Sequence, residues 1–192
     1  EGLADAGSIP AASTIIICLC IIVHMKKYTI LALIFSFYSS NIIANPACFS
    51  NNEKLGDSAY WSITAIELFD QKRYEEAVAV VDLCFDIWGP EAKQIQKEMH
   101  DNKAPYPKVG KVTPKQKKAI QENYLINDVS MALWTKARSL DELGLDMYAM
   151  EAYVECINMT HGRIWDSGGY EPQGWFWSPA EDCADRAQKY LK

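Results

Sequence analysis

Only three histidines occur in the chain, His24, His100 and His161. None stands in an HExxH or comparable ligand spacing, so the sequence offers no metal site. No GxSxG marks a nucleophile, no GxxxxGK cradles a phosphate and no GxGxxG opens a dinucleotide fold. No cofactor is implied. A basic surplus is missing too: 19 Lys and Arg stand against 25 Asp and Glu, a formal net charge of −6. An acidic surface repels phosphate backbones, which argues against nucleic acid as a partner. Lysines do gather between Lys103 and Lys118, but Pro and Gly punctuate that stretch and it reads as a solvated loop and helix start.

A long apolar span is also lacking. Ile15 to Val23 and Tyr28 to Tyr38 are apolar, but His24, Lys26 and Lys27 separate them. Charges at the centre of a span cost about 2.5–3.5 kcal/mol each, and a span needs about 20 apolar residues. Met25-Lys26-Lys27, the run to Tyr38, then small and polar residues ending in Ile42-Ile43-Ala44 have the order of a secretory signal peptide cut after Ala44. Residues 1–24 read as upstream, non-native sequence, residues 25–44 as the signal, and residues 45–192 as one helical-repeat domain. A lipoprotein signal at Cys48 is the weaker alternative, because Asn45 and Pro46 stand where Leu and a small residue are wanted. Glu1 and Asp5 balance Lys26 and Lys27, so residues 45–192 keep the whole net charge.

No CxxC occurs in residues 45–192, which hold Cys48, Cys84, Cys156 and Cys183. An even count behind a signal peptide reads as two structural disulfides.

What remains is helical. From Asp57 onward apolar residues fall at helical spacing with no sustained alternation. A first helix starts at Asp57 or Ser58 and ends at the polar break Asp70 to Arg73. A second runs from Tyr74 to Trp88, stopped by Gly89-Pro90, and a third from Glu91 to about His100. Asn102 to Thr113 is a loop, and Pro114 opens the next helix. That helix runs on, or breaks near Asn127-Asp128, into a helix from Val129 to Leu143, ended by Gly144. Further helices span Asp146 to about Met159 and Ser178 to Leu191, the last with Ser178, Pro179 and Glu181 spaced as a capping box.

Two of these hairpins repeat. Ala65, Leu68, Tyr74, Ala77, Val81 and Cys84 map onto Ala137, Leu140, Asp146, Ala149, Tyr153 and Cys156 with one shift of 72 positions. Trp61 lands on Leu133. Small residues recur where two helices approach and large ones on the buried stripe. The start of a hairpin's first helix lies beside the end of its second, so Cys48–Cys84 is favoured. The final helix packs on the second hairpin, which favours Cys156–Cys183, ahead of the other two pairings.

With Ala137 to Gly144, Ala149, Tyr153 and Cys156 the chain resembles the tetratricopeptide repeat. The earlier copy departs from that pattern at Lys72, where Gly is usual, and neither copy has the closing Pro. Asn127-Asp128-Val129, Trp165-Asp166 and Pro172-Gln-Gly-Trp-Phe-Trp177 are similar to a family of secreted bacterial tetratricopeptide-like proteins with a Trp-Asp-Pro-x-Gly-Trp-Phe-Trp ending. Some members carry a glucanase-precursor label. Ser167 to Glu171 interrupts that ending here.

The resemblance implies an all-α fold of antiparallel hairpins stacked as a short solenoid, closed by the aromatic-rich segment and the final helix. It also implies a periplasmic or secreted bacterial protein. Two surfaces are candidate binding sites. Trp165, Tyr170, Trp175, Phe176 and Trp177 could floor a groove, although most of these rings are expected to pack. In an extended segment neighbours point oppositely, and Trp175 and Trp177 are expected inward, with Phe176 less buried. The concave side of the stack offers Tyr60, Thr64, Glu67, Lys136 and Ser139. Asp166, Glu171, Glu181 and Asp182 could be cast as glycosidase carboxylates, but acids in a first helical turn already serve the dipole. The sequence therefore reads as a non-catalytic protein- or peptide-binding module of the envelope. The alternative is a carbohydrate-active protein, a sugar-binding accessory or a small glycoside hydrolase, using the Trp-rich tail.

Overall fold

The computed structural model describes residues 48–168 and 174–191. The expected signal segment, Tyr170 and Glu171 lie outside them. Among the described residues six α-helices and one pair of short strands are formed: α1 (Asp57–Asp70), α2 (Tyr74–Asp101), α3 (Pro114–Glu122), α4 (Tyr124–Glu142), α5 (Asp146–Ile157), β1 (Ile164–Asp166), β2 (Trp175–Trp177) and α6 (Pro179–Ala187). A 3-10 turn, Gln188–Leu191, follows α6. The class is all-α.

Helix α4 is the hub, packed against α1, α2, α5 and α6. Its central role follows from composition: Leu125, Ile126, Val129, Leu133, Ala137 and Leu140 bury one broad stripe, and Ala132 and Ser130 let neighbours approach on other sides. A helix buried on several faces is the expected home for such a sequence. Five of the seven pairs of positions related by the 72-residue shift are matched in burial. Ala65 and Ala137, Ala77 and Ala149, Val81 and Tyr153, Cys84 and Cys156, and Trp61 and Leu133 are all core residues. The disulfides are Cys48–Cys84 and Cys156–Cys183, the pairing that hairpin geometry favours.

Two of the six helix starts carry a side-chain cap. Thr113 accepts from the Gln116 backbone while the Gln116 side chain accepts from the Thr113 N–H, a complete capping box with Pro114 in the first turn. Ser178 caps α6 by accepting from the Glu181 N–H at 3.3 Å. The break that admits α4 comes at Asn123, earlier than Asn127-Asp128.

One expected helix boundary is missing. Gly89-Pro90 does not stop α2, which runs unbroken to Asp101. Proline removes one helical bond and crowds the residue before it. Here that residue is Gly89, which has no Cβ to crowd, and the Phe85 ring covers the open spot. Tertiary contacts of Ala92 and Gln96, both buried, then hold the second half of the helix in line.

The tail forms an antiparallel pair in the register Ile164–Trp177, Trp165–Phe176 and Asp166–Trp175. Its other edge is bridged by the loop after α2: Gly110 N–H donates to Phe176 O at 2.7 Å, and Phe176 N–H to Gly110 O at 3.0 Å. Alternation holds across β2, but its phase is the reverse of the expected one. Phe176 is 2% exposed, Trp175 is 40% exposed and Trp177 is half-buried. The cause is long-range pairing. Phe176 lies beside Trp165, ring centroids 5.0 Å apart, on the face turned to the helices. Trp175 falls on the opposite face over Gly168, while Trp177 gains partial cover from the edge of Trp134 at 5.5 Å. Gly174 passes close to the Trp165 ring of the paired strand, leaving no room for a Cβ.

Candidate functional site

Between α1, the α3–α4 junction and the strand pair lies a cleft of about 390 Å3. Ile63 and Ile66 of α1 face Tyr124 and Met131 of α4, and Trp165 and Phe176 form the wall between them. Asn127, Asp128 and Arg163 bring polar groups to this mostly apolar lining. An apolar hollow with a few convergent polar groups is the usual form of a binding site.

Each polar group is held differently. Asn127 is fully employed: its Nδ2 donates to Ile120 O at 2.8 Å and its Oδ1 accepts from the Arg163 N–H at 2.9 Å. It thereby spans the helix break and fixes the start of β1 against α4. Arg163 is 3% exposed. Its Nε donates to Pro107 O at 2.8 Å, and its Nη1 to Thr160 O, Gly162 O and the Ser178 hydroxyl. One guanidinium thus ties together the loop after α2, the end of α5 and the cap of α6. Burial lowers its pKa, and the charge of Glu181 works against that effect.

Asp128 is the unusual member. It receives one hydrogen bond, from the Ser58 hydroxyl of α1 at 2.7 Å. It joins no ion pair among the described residues. Burial pushes its carboxyl up to about 6, and the Ser58 bond offsets only part of that rise. Desolvation of an acid without a cation beside it has this effect, and such groups gather at functional sites.

The tail residues singled out by sequence divide among roles. Trp165 and Phe176 line the cleft. Lys117 stands over the Trp165 ring at 3.9 Å from its centroid, so that ring's face is partly covered. Trp177 packs on Trp134, and Trp175 is the most exposed of the four described rings. Tyr170 lies outside the described residues.

Of the concave-side candidates, none lines the cleft. Thr64 donates to Tyr60 O of its own helix, Lys136 pairs with Asp82 at 2.6 Å, Ser139 is buried and Glu67 is exposed. Two of the candidate carboxylates have structural employment, Glu181 is exposed in the first turn of α6, and Glu171 lies outside the described residues. Asp182 accepts from Trp134 Nε1 and pairs with Arg186, both at 2.6 Å, and Asp166 accepts from the Gly168 N–H. His161 sits past the end of α5 and is 2% exposed. Gln96 donates to its Nδ1 and Ala104 O faces its Nε2, a bonding pattern that needs the proton on Nε2. His100, by contrast, is exposed beside Asp101. Among the described residues no group of three or more His, Cys, Asp or Glu could hold a metal ion.

Asp128 escaped the reading of the sequence, although a signal for it exists. Leu125 and Ala132, three residues before and four after it on α4, are both buried. A carboxylate on that stripe breaks the apolar pattern of a core helix.

Among the described residues no helix is long and apolar enough to cross a membrane. No family model, no curated protein and no solved structure matches the chain, so what it does must be argued from this geometry.

Proposed function

We propose that the chain is a non-catalytic module that binds a peptide or a segment of a protein in the cleft between α1, α4 and the strand pair. One observation carries this reading: the cleft is walled by the first helix of each of the two matched hairpins. The resemblance to tetratricopeptide repeats implies that ligands lie along the first helices of such hairpins, although the concave-side residues Tyr60, Thr64, Glu67, Lys136 and Ser139 do not line this cleft. The lining also suits an extended chain, since Ile63, Ile66, Met131 and Phe176 offer apolar area while polar groups are few. Two disulfides favour an oxidising compartment, which agrees with export to the bacterial envelope.

A second reading has its own observation. Trp175 keeps 40% of its surface exposed beside Gly168, and an exposed indole can stack on a sugar ring. Against it, two of the four carboxylates near the tail, Asp166 and Asp182, are bound up in local contacts.

A library of short unstructured peptides, screened in parallel with a panel of envelope glycans, separates the two. Enrichment of peptides by wild type and its loss in Ile66→Arg is the expected result. Glycan binding that survives Ile66→Arg but disappears in Trp175→Ala would replace the peptide reading with the carbohydrate one.

A further inference from the structure

Several of the described charges have partners that explain them. Lys93 meets Glu155, Lys136 meets Asp82 and Arg186 meets Asp182. Asp128 does not fit that pattern. Ser58 supplies one donor to one of its oxygens, no described cation pairs with it, and it lies on the wall of an apolar cleft. An asparagine could accept the same Ser58 bond without the cost of a desolvated charge. The carboxylate therefore suits a job that the protein alone does not provide.

We propose that the peptide bound in this cleft places a lysine or arginine side chain against Asp128, with apolar neighbours on Ile63, Ile66 and Met131. This rests on the reading that a peptide occupies the cleft. The charge balance favours a cation at this wall. Arg163 is turned onto the oxygens of Pro107, Thr160, Gly162 and Ser178, and no described cation forms an ion pair with the Asp128 carboxyl. An incoming cation would meet an uncompensated acid in a low-dielectric surrounding, where a charge-assisted bond is stronger than at an exposed surface. The long stem of Lys or Arg would lie along the isoleucines while its head reaches the acid. The other titratable groups lining the cleft are Tyr124 and Arg163, and Lys117 stands over the Trp165 ring.

The test uses blocked pentapeptides, uncharged at both ends, with a central Lys, Arg, norleucine, Gln or Glu and random apolar or Ser flanks. Affinity for the full chain is followed by Trp fluorescence at pH 7.5 and pH 5. Wild type should prefer Lys or Arg over norleucine by about tenfold at pH 7.5. That preference should shrink at pH 5 and vanish in Asp128→Asn, while norleucine peptides still bind the variant. Asp128→Asn keeps an acceptor for Ser58, and its melting curve checks that it is folded. Equal binding of Lys and norleucine peptides, or a Lys preference that survives Asp128→Asn, overturns the inference and leaves the peptide reading standing. Preference for Glu peptides overturns it in favour of Arg163. Binding of none of the peptides by wild type overturns both.

Discussion

Lys72 and Gly144, 72 positions apart, occupy the same point of two helix hairpins and share a left-handed backbone, with φ of 61° and 69°. The surrounding bonds coincide as well. Arg73 N–H reaches Leu68 O at 2.9 Å and Leu145 N–H reaches Leu140 O at 3.0 Å; Lys72 donates to Phe69 O and Gly144 to Asp141 O. Both turns are the same helix stop, closed by a bond from two residues past the end back to the last turn. The left-handed position holds Lys in the first turn and Gly in the second, so the first turn carries a strain that the second avoids.

Lys72→Gly should therefore stabilise the protein by about 0.5–1 kcal/mol, the relief of strain less the extra freedom glycine has when unfolded. Gly144→Ala should cost about 1 kcal/mol by strain alone, since nothing lies within 4 Å of the added Cβ. Urea midpoints at unchanged slope measure both. A neutral Lys72→Gly would mean that the lysine side chain compensates its own backbone.

That pair marks where the sequence is a good guide. The hairpins are legible because Ala65, Ala77, Ala137 and Ala149 recur at helical spacing on the buried stripe, and the disulfides follow once the hairpins are known. The strand pair is not legible. Three residues per strand are too few to show alternation, and which face of β2 is buried depends on Gly110 and Trp165, both remote in sequence. The cleft is harder still. Ser58, Asp128 and Arg163 lie far apart in the chain and meet only when α1, α4 and β1 pack. Pro90 shows the same limit, since a local stop signal yields to the contacts of Ala92 and Gln96.

The reversed phase of β2 gives a stability ordering. Phe176→Ala removes a buried ring and should cost about 3–5 kcal/mol. Trp175→Ala, at the exposed position, should cost less than about 1 kcal/mol. Thermal unfolding of the two proteins decides it, and comparable losses at both positions would show that Trp175 is covered in solution.

The two disulfides close loops of similar length, with sequence separations of 36 and 27. On loop entropy each should contribute about 3–4 kcal/mol. Replacing each cystine by a Ser pair should lower stability by similar amounts, read from chemical unfolding. Peptide mapping without reductant should recover Cys48 linked to Cys84, and a Cys84–Cys156 peptide would contradict the fold described here.

Asp128 sets an unusual slope near pH 5. Its folded carboxyl is raised to about 6, so between the unfolded value and about 6 the folded state holds more protons than the unfolded one. Stability from this group is then greatest at low pH and falls as pH rises through about 6, by about 2–3 kcal/mol in all. Asp128→Asn should lack that fall and be more stable than wild type at pH 7.5. Identical slopes in the two proteins between pH 4 and 7 would show that the carboxyl is solvated.

Asp141 has the opposite sign. Burial alone would raise its pKa, but bonds from Lys189, Tyr190 and Tyr153 hold the carboxyl below its usual range. A lowered acid stabilises the fold above its unfolded pKa, and that stability is lost as pH falls through the folded value. The group also has a mechanical role, because it joins the end of α4 to Tyr153 of α5 and to the 3-10 turn after α6. Tyr153 is fully buried and its hydroxyl donates to Asp141 at 2.8 Å. Asp141→Ala should cost about 2–4 kcal/mol at pH 7, mostly from the stranded Tyr153 hydroxyl. Lys189→Ala should cost under about 1 kcal/mol, since that lysine side chain is 52% exposed. Tyr153→Phe in the Asp141→Ala background provides the check: with the hydroxyl gone it should recover part of the loss, and no recovery would place the cost in the α6 contacts instead.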